Sequence, residues 1–346
     1  MSSLPKVRVA AVHAASVFLD KRASTEKAVA LIAEAARHGA ELVAFPESFI
    51  PAFPAWAALW APIRNHDLFE RMVEESVFVP GPEMAAIAAQ ARRSGVFVSL
   101  GISERNPASV GGLWNSNLLI GDDGRLLNHH RKLVPTFYEK LVWAPGDGAG
   151  LQVAQTRIGR VGNLICGENT NPLARYSLIA QGEQVHISSW PPIWPTRPPR
   201  EGGNYDNVAA NRIRAAGHCF EAKAFGVVVA GFMDDPMRRF LLERDPEVAE
   251  ILDGTPRAPT MFLDPTGAAI GDFLQSDEGI AYADLDLNRC IEPKQFHDVV
   301  GYYNRFDVFS LSVRRERSSP ITWHDAGLQS RPEVALLPDD DDRDAA

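Results

Sequence analysis

Three residues in this chain carry side chains that could act together on an electrophilic carbon, and each stands just beyond a predicted strand. Cys166 follows the apolar run 161–165 and precedes the polar turn Gly167-Glu168-Asn169 and a helix-like stretch, 172–181. Glu47 follows the run 42–45 and Pro46, and Lys132 follows His129-His130-Arg131. A thiol on a strand-to-helix turn can be held exposed, and the helix N-terminus can lower its pKa. A thiolate attacks an electron-poor carbon such as that of a nitrile or an amide. A free thiol is mostly protonated at neutral pH, so it needs a base or a cation nearby. Glu47 could take the proton and return it to a leaving nitrogen, and Lys132 could favour the anion and later meet the charge of tetrahedral intermediates. Taken singly, each has a plainer reading. A cysteine among apolar residues is most often an inert buried hydrophobe, and a carboxylate or a lysine is most often one charge on a solvated edge. Strand ends on one edge of a sheet would bring all three together.

Other chemistries find less support. There is no Gly-x-Ser-x-Gly elbow, the turn a serine hydrolase needs. Gly146, Gly148 and Gly150 are not followed by Gly-Lys-Ser/Thr or by a third spaced glycine, so they do not make a phosphate or dinucleotide loop. His129 with His130, and His218 with Cys219, are neighbours in sequence; on a strand such pairs point apart, so structural histidines are expected rather than a metal site. No cofactor and no metal is expected.

The elements that must position these groups alternate. Residues 7–13 and 42–45 read as buried strands, separated by a helical pattern over 20–38 with Val29, Ile32, Ala33 and Ala36 on one face and Gly39 after its end. A helix over 82–94 opens on proline and stops at Gly95, and a strand over 96–102 follows. Strands 116–120 and 125–130 flank Gly121-Asp122-Asp123-Gly124, a hairpin signal. After Cys166 come the strand 184–188, a helix 207–223, the strand 226–230 and a second hairpin turning at Asp264-Pro265-Thr266-Gly267. Helices recurring between strands predict a layered α/β fold with sheet inside and helices outside. Two segments, 49–63 and 190–204, are rich in proline and aromatic residues and follow strands beside the candidate residues. They are expected to wall a pocket, with packing of Trp56, Trp60, Trp190 and Trp194 into the core or an interface as the equal alternative. A third, 234–259, is charged, with a short helical piece over 247–252.

The local wording resembles the nitrilase branch of the nitrilase superfamily, the carbon–nitrogen hydrolases. The segments that carry the likeness are Phe45-Pro46-Glu47-Ser48-Phe49-Ile50-Pro51, His130-Arg131-Lys132-Leu133-Val134-Pro135-Thr136, Trp143-Ala144-Pro145-Gly146-Asp147-Gly148, Cys166-Gly167-Glu168-Asn169 and, late in the chain, Gly301-Tyr302-Tyr303-Asn304-Arg305-Phe306-Asp307-Val308. One departure is Gly167, where the family commonly has Trp. The resemblance implies an αββα sandwich of four layers, two sheets inside and helices outside, in a single domain over 1–310 with a C-terminal extension over 311–346. It implies Cys166 as nucleophile, Glu47 as general base and acid, Lys132 as charge stabiliser and Glu139 as the group that holds Lys132 or the attacking water. Phe53, Trp56, Trp190 and Pro191, with Asn169 beside the thiol, are expected to line the substrate pocket. The implied reaction is hydrolysis of an organic nitrile to a carboxylic acid and ammonia through thioimidate and thioester intermediates. An amidase or carbamoyl hydrolase with the same triad, or release of the amide, is the alternative. Homodimers, extended in many relatives into spirals, are expected, and the segment 234–259 often contributes to subunit contacts in the family.

The bulk numbers fit. Of 346 residues, 45% are hydrophobic and 23% charged, ordinary values for a soluble globular chain able to bury a large core. The net charge of −9 without a basic block argues against nucleic acid. Four of those negative charges are local, from Asp339, Asp340, Asp341, Asp342 and Asp344 against Arg343, and this acidic end is expected to be disordered. Three cysteines, an odd number at no metal-like spacing, argue for a reducing compartment. With neither a signal-peptide stretch nor an apolar run near the ~20 residues of a membrane span, a cytoplasmic location is expected.

Overall fold

Alternation along the strands sets the layers. In β1 (Lys6–His13), Val7, Val9 and Ala11 pack to one side and Ala10 and Val12 to the other, as the period of two requires. The computed structural model describes residues 4–321; the expected acidic end and the rest of the extension beyond 321 lie outside the described residues. After β1 come β2 (Leu42–Ala44), β3 (Phe97–Arg105), β4 (Leu113–Ile120), β5 (Leu126–Arg131), β6 (Ala154–Thr156), β7 (Gly159–Ile165), β8 (Val185–Trp190), β9 (Phe225–Ala230), β10 (Thr260–Leu263), β11 (Ala269–Leu274) and β12 (Gly279–Asp286). They form two six-stranded mixed sheets, ordered β12-β1-β2-β3-β4-β5 and β11-β10-β9-β8-β7-β6. The parallel centres are β1-β2-β3 and β7-β8-β9.

The sheets face each other. Val9, Leu42 and Leu285 of the first share one buried cluster with Val185, Val227 and Phe262 of the second. Each such side chain contributes about 1.5–3 kcal/mol when fully buried. The outer faces carry helices, labelled α1 (Lys21–Arg37), α2 (His66–Glu75), α3 (Pro82–Ser94), α4 (Pro172–Ile179), α5 (Asn207–Ala222), α6 (Asp235–Arg244) and α7 (Ala249–Gly254). Ile32 of α1 and Ile87 of α3 pack on Ala10, Val43 and Val98. Ala215 and Cys219 of α5 pack on Val228, Ala230 and Met261. The result is the expected αββα sandwich. β9 is buried along its whole length because it is covered on both faces, which explains its unbroken apolar run.

Local signals fix the helix ends. Asp20 accepts a hydrogen bond from Ala23 N at 2.8 Å to open α1, and Asn171 caps α4 through Leu173 N and Ala174 N, satisfying donors that would otherwise be orphaned. α1 is turned by about one residue from expectation. Its buried face is Ser24, Thr25, Ala28, Ile32 and Ala35, because Ser24 Oγ bonds both Val17 N and Val17 O at 3.0 Å and sets the rotation. α2 and α6 were not expected. Each is highly charged and buries only a short stripe, Leu68, Met72 and Val73 in α2 and Met237 and Leu241 in α6. The segment 234–259 thus holds two helices, α6 and α7, rather than one short piece.

Candidate active site

β2, β5 and β7 end where the two sheets meet, and the residues just past those ends come together. Lys132, directly after β5, is 1% exposed. Its Nζ donates to Glu47 Oε1 at 2.7 Å and to Glu139 Oε2 at 2.6 Å. An oxygen of Glu47, an oxygen of Glu139 and Cys166 Sγ lie within 4.8 Å of one another. All four groups are buried.

Each is held by its own local structure. Glu139 closes a capping box on the 3₁₀ turn Phe137–Leu141: Thr136 N donates to Glu139 Oε2 at 2.9 Å, the oxygen that also accepts from Lys132. Glu47 Oε1 accepts from Asn115 Nδ2 at 2.7 Å, and Lys132 N donates to Asn115 O at 2.8 Å. The loop carrying Glu47 lies against β3 so closely that a Cβ on Gly101 would stand 2.1 Å from Pro46 O; only glycine permits that approach. Cys166 itself has φ +49°, with Ser48 at +49° and Phe137 at +50°. These are three of the five described non-glycine residues in the left-handed region, each at or within two residues of a candidate catalytic group, as stored backbone strain at functional sites would have it.

The turn at Cys166 is braced from beneath. Asn169 Nδ2 donates to Cys166 O at 3.0 Å and to Leu164 O at 3.3 Å, which leaves Oδ1 to accept from His186 Nε2 at 2.8 Å. His186 Nδ1 lies 2.9 Å from Glu183 Oε1. The ring of His186 is thus held between Asn169 and Glu183. His218 stacks on His186 at 3.7 Å and donates to the other oxygen of Glu183. Burial and the adjacent His186 push His218 down to about 4; burial alone would raise Glu183, but the two histidines hold it at about 2. Glu168, next along the turn, takes Ile165 N, Leu133 N and His130 Nε2 and so ties β7 to the lysine loop.

Two groups bring three potential ligand atoms within 4.8 Å: Glu47, Glu139 and Cys166, and Glu183, His186 and His218. In the first, Lys132 Nζ already supplies the positive charge; in the second, the histidines bond the carboxylate.

The electrostatics differ from the sequence expectation in one respect. Cys166 is 5% exposed, not held out into solvent, and a 3₁₀ turn, Cys166–Thr170, separates it from α4. Burial, then the charge of Glu47, pushes the thiol well above its ordinary range, although Lys132 opposes them. Two carboxylates and one ammonium already give the cluster a net negative charge, and a thiolate would add another. Burial likewise raises Glu47 to about 7, with Lys132 pulling the other way and Glu139 pushing it further up. Burial alone would lower Lys132, but Cys166, Glu139 and Glu47 keep it well above its usual value. The site therefore sets a thiol that burial keeps protonated beside a carboxylate raised to about 7.

A cavity of about 220 Å³ opens on Cys166, lined by Gly167, Trp190, Pro191, Trp194, Tyr205 and Arg214 among others. The loop 190–204 thus walls the cavity. The loop 49–63 does not: Phe53 and Trp56 pack with Tyr138 and Trp143 in a buried aromatic cluster behind Glu47, and Phe53 borders only a small void there. Asn169 is fully buried beneath the thiol and braces the turn instead of facing the cavity. Asn115, Gly101, His186 and Arg214 went unnoticed in the sequence. The visible trace of Asn115 is a polar Asn-Ser-Asn inside an apolar strand; the others have none.

A buried thiol, two carboxylates and an ammonium meet at the strand ends of an αββα sandwich, an arrangement suited to the hydrolysis of carbon–nitrogen bonds. Residues 8–295 match the model of the carbon-nitrogen hydrolase family, and the chain belongs to that family. It is 33% identical over 341 residues to a nitrilase from Paraburkholderia phymatum, covering 96% of each chain. It is 36% identical over 317 residues to an arylacetonitrilase from Hypocrea virens, covering 90% of this chain and 92% of that one. In structure it is similar to a carbon-nitrogen hydrolase from Helicobacter pylori, with a TM-score of 0.65 at 19% identity over 84% of this chain and 93% of the other. Among the described residues no helix is long and apolar enough to cross a membrane.

Proposed function

We propose that this chain is a nitrilase that converts an organic nitrile to the carboxylic acid and ammonia. The observation that carries the reading is the bridge of Lys132 Nζ between Glu47 and Glu139 beside the Cys166 thiol, in a chain related over nearly its whole length to nitrilases. Cys166 Sγ attacks the nitrile carbon while Glu47 takes the thiol proton and passes it to the nitrile nitrogen, giving a thioimidate. Water, deprotonated by Glu47, adds to that carbon. The resulting tetrahedral adduct takes a proton on nitrogen and breaks its C–N bond, releasing ammonia and leaving a thioester. A second water cleaves the C–S bond to give the acid and the free thiol. Breaking C–S instead of C–N at the first adduct releases the amide. Lys132 has three donors and gives two to carboxylates, leaving one for the charge that develops on the adducts.

Three free, buried cysteines support a reducing, cytoplasmic setting. Exposed Ile213 and Phe220 on α5 and Tyr303, Phe306 and Phe309 near the end of the described chain support a homodimer that extends into larger assemblies. Ammonia release across aliphatic, aromatic and arylaliphatic nitriles and their matching amides tests the reaction. An amide preferred tenfold or more in kcat/KM moves the chain to the amidase reading.

A further inference from the structure

Arg214 is the one charged residue among those that line the cavity at Cys166. Most buried or half-buried arginines among the described residues are paired, as Arg131 is with Glu104, Arg175 with Glu221 and Arg238 with Asp253. The Arg214 side chain has no hydrogen bond or ion pair among the described residues. Its guanidinium lies 5.2 Å from the ring centre of Trp190 and 5.4 Å from that of Tyr205, both cavity walls, so aromatic faces orient it without using its N–H donors. One turn earlier on the same face of α5, Asn211 also lines the cavity, and its buried Nδ2 has no partner among the described residues. A half-buried cation and a buried amide donor, both lacking an acceptor, leave desolvated donors that an incoming anion would satisfy.

Building on the nitrilase reading, we propose that Arg214 and Asn211 bind a carboxylate carried by the substrate, so that the preferred substrates are cyanocarboxylates. Such a molecule presents its nitrile to Cys166 and its carboxylate to the fork of Arg214, which suits two-point recognition. The cation also offsets the net negative charge of Glu47, Glu139 and Lys132, which would otherwise repel an anionic substrate. Trp190, Pro191, Trp194 and Ala258 of the same lining suit the apolar spacer between the two ends.

The test is kcat/KM for a length series, 3-cyanopropanoate to 6-cyanohexanoate, against unbranched alkyl nitriles of equal length. One carboxylate length should exceed its neutral counterpart by about tenfold or more, as a charge-assisted pair in a desolvated site allows. Arg214→Gln should lower turnover of that carboxylate by about ten- to a hundredfold and change the neutral nitrile by less than about threefold; Asn211→Ala should act in the same direction, less strongly. Neutral nitriles preferred at every length would overturn the proposal with no variant needed, while leaving the nitrilase reading intact. An equal loss on charged and neutral nitriles in Arg214→Gln would also overturn it, assigning the residue to the thiol. If nitriles fail and amides react, the nitrilase reading falls, and the same preference measured on ω-carbamoyl carboxylates decides the fate of Arg214.

Discussion

Asn115 Nδ2 donates to Glu47 Oε1 at 2.7 Å, on the same oxygen that accepts from Lys132. The other oxygen, Oε2, is buried and has no partner among the described residues, so it is the oxygen left to carry a proton. The Asn115 bond holds down the pKa of a carboxylate that burial raises to about 7. A base must be ionised to act, so kcat/KM should fall below about pH 7. Asn115→Ala should move that acidic limb upward and reduce activity at pH 7 more than at pH 8.5. An unmoved limb in the variant would detach it from Glu47.

The same shift makes a stability prediction. Glu47 binds its proton more tightly folded, at about 7, than at its ordinary 4.5. Its contribution is therefore fully present below 4.5 and is lost as pH rises through 7. Glu47→Gln cannot titrate. Its melting temperature relative to the parent should be higher at pH 8 than at pH 5, while its activity is abolished; a difference independent of pH would mean that Glu47 is not raised.

Cys166→Ala should abolish turnover and leave the protein folded. Cys219→Ala and Cys290→Ala should stay active, since burial pushes both thiols far up and neither touches the cavity. Mass spectrometry on enzyme quenched during turnover should find the acyl adduct on Cys166 alone.

Lys132→Ala should cost far more in kcat than in KM, because Lys132 meets charge that appears only after attack. Loss of one such donor typically costs about 10²–10³-fold. A raised KM with kcat unchanged would make Lys132 a substrate-binding residue.

His186 and Asn169 should act as one positioning unit. Asn169→Ala removes the donor to Cys166 O, and His186→Gln weakens what holds Asn169. Each should lower kcat and slow alkylation of Cys166 with KM little changed. In the double variant the second change should add little, the coupling expected of residues in one network. Additive losses would show two independent structural roles.

Much of this protein was legible in its sequence, and for a definite reason. The apolar runs that form β1 and β9, the helix stops at Gly39 and Gly95 and the hairpin turn at Gly121-Asp122-Asp123-Gly124 are local patterns that local physics reads directly. Residues placed just after strands, Glu47, Lys132 and Cys166, were likewise visible, because parallel strands deliver their ends to one edge. What tertiary structure decided was everything that depends on distance across elements. Asn115 reaches Glu47 because β4 pairs with β3, and Gly101 of β3 matters because a loop 54 residues earlier lies against it. The thiol proved buried and neutral rather than exposed and acidified. Its proton affinity follows from the low-dielectric surroundings and the two carboxylates brought beside it from other strands, and no run of neighbouring letters encodes a dielectric. Arg214 and Trp56 make the same point in opposite directions: one faces the cavity and one backs the core, and only the packing of α5 and of the loop after Glu47 tells them apart.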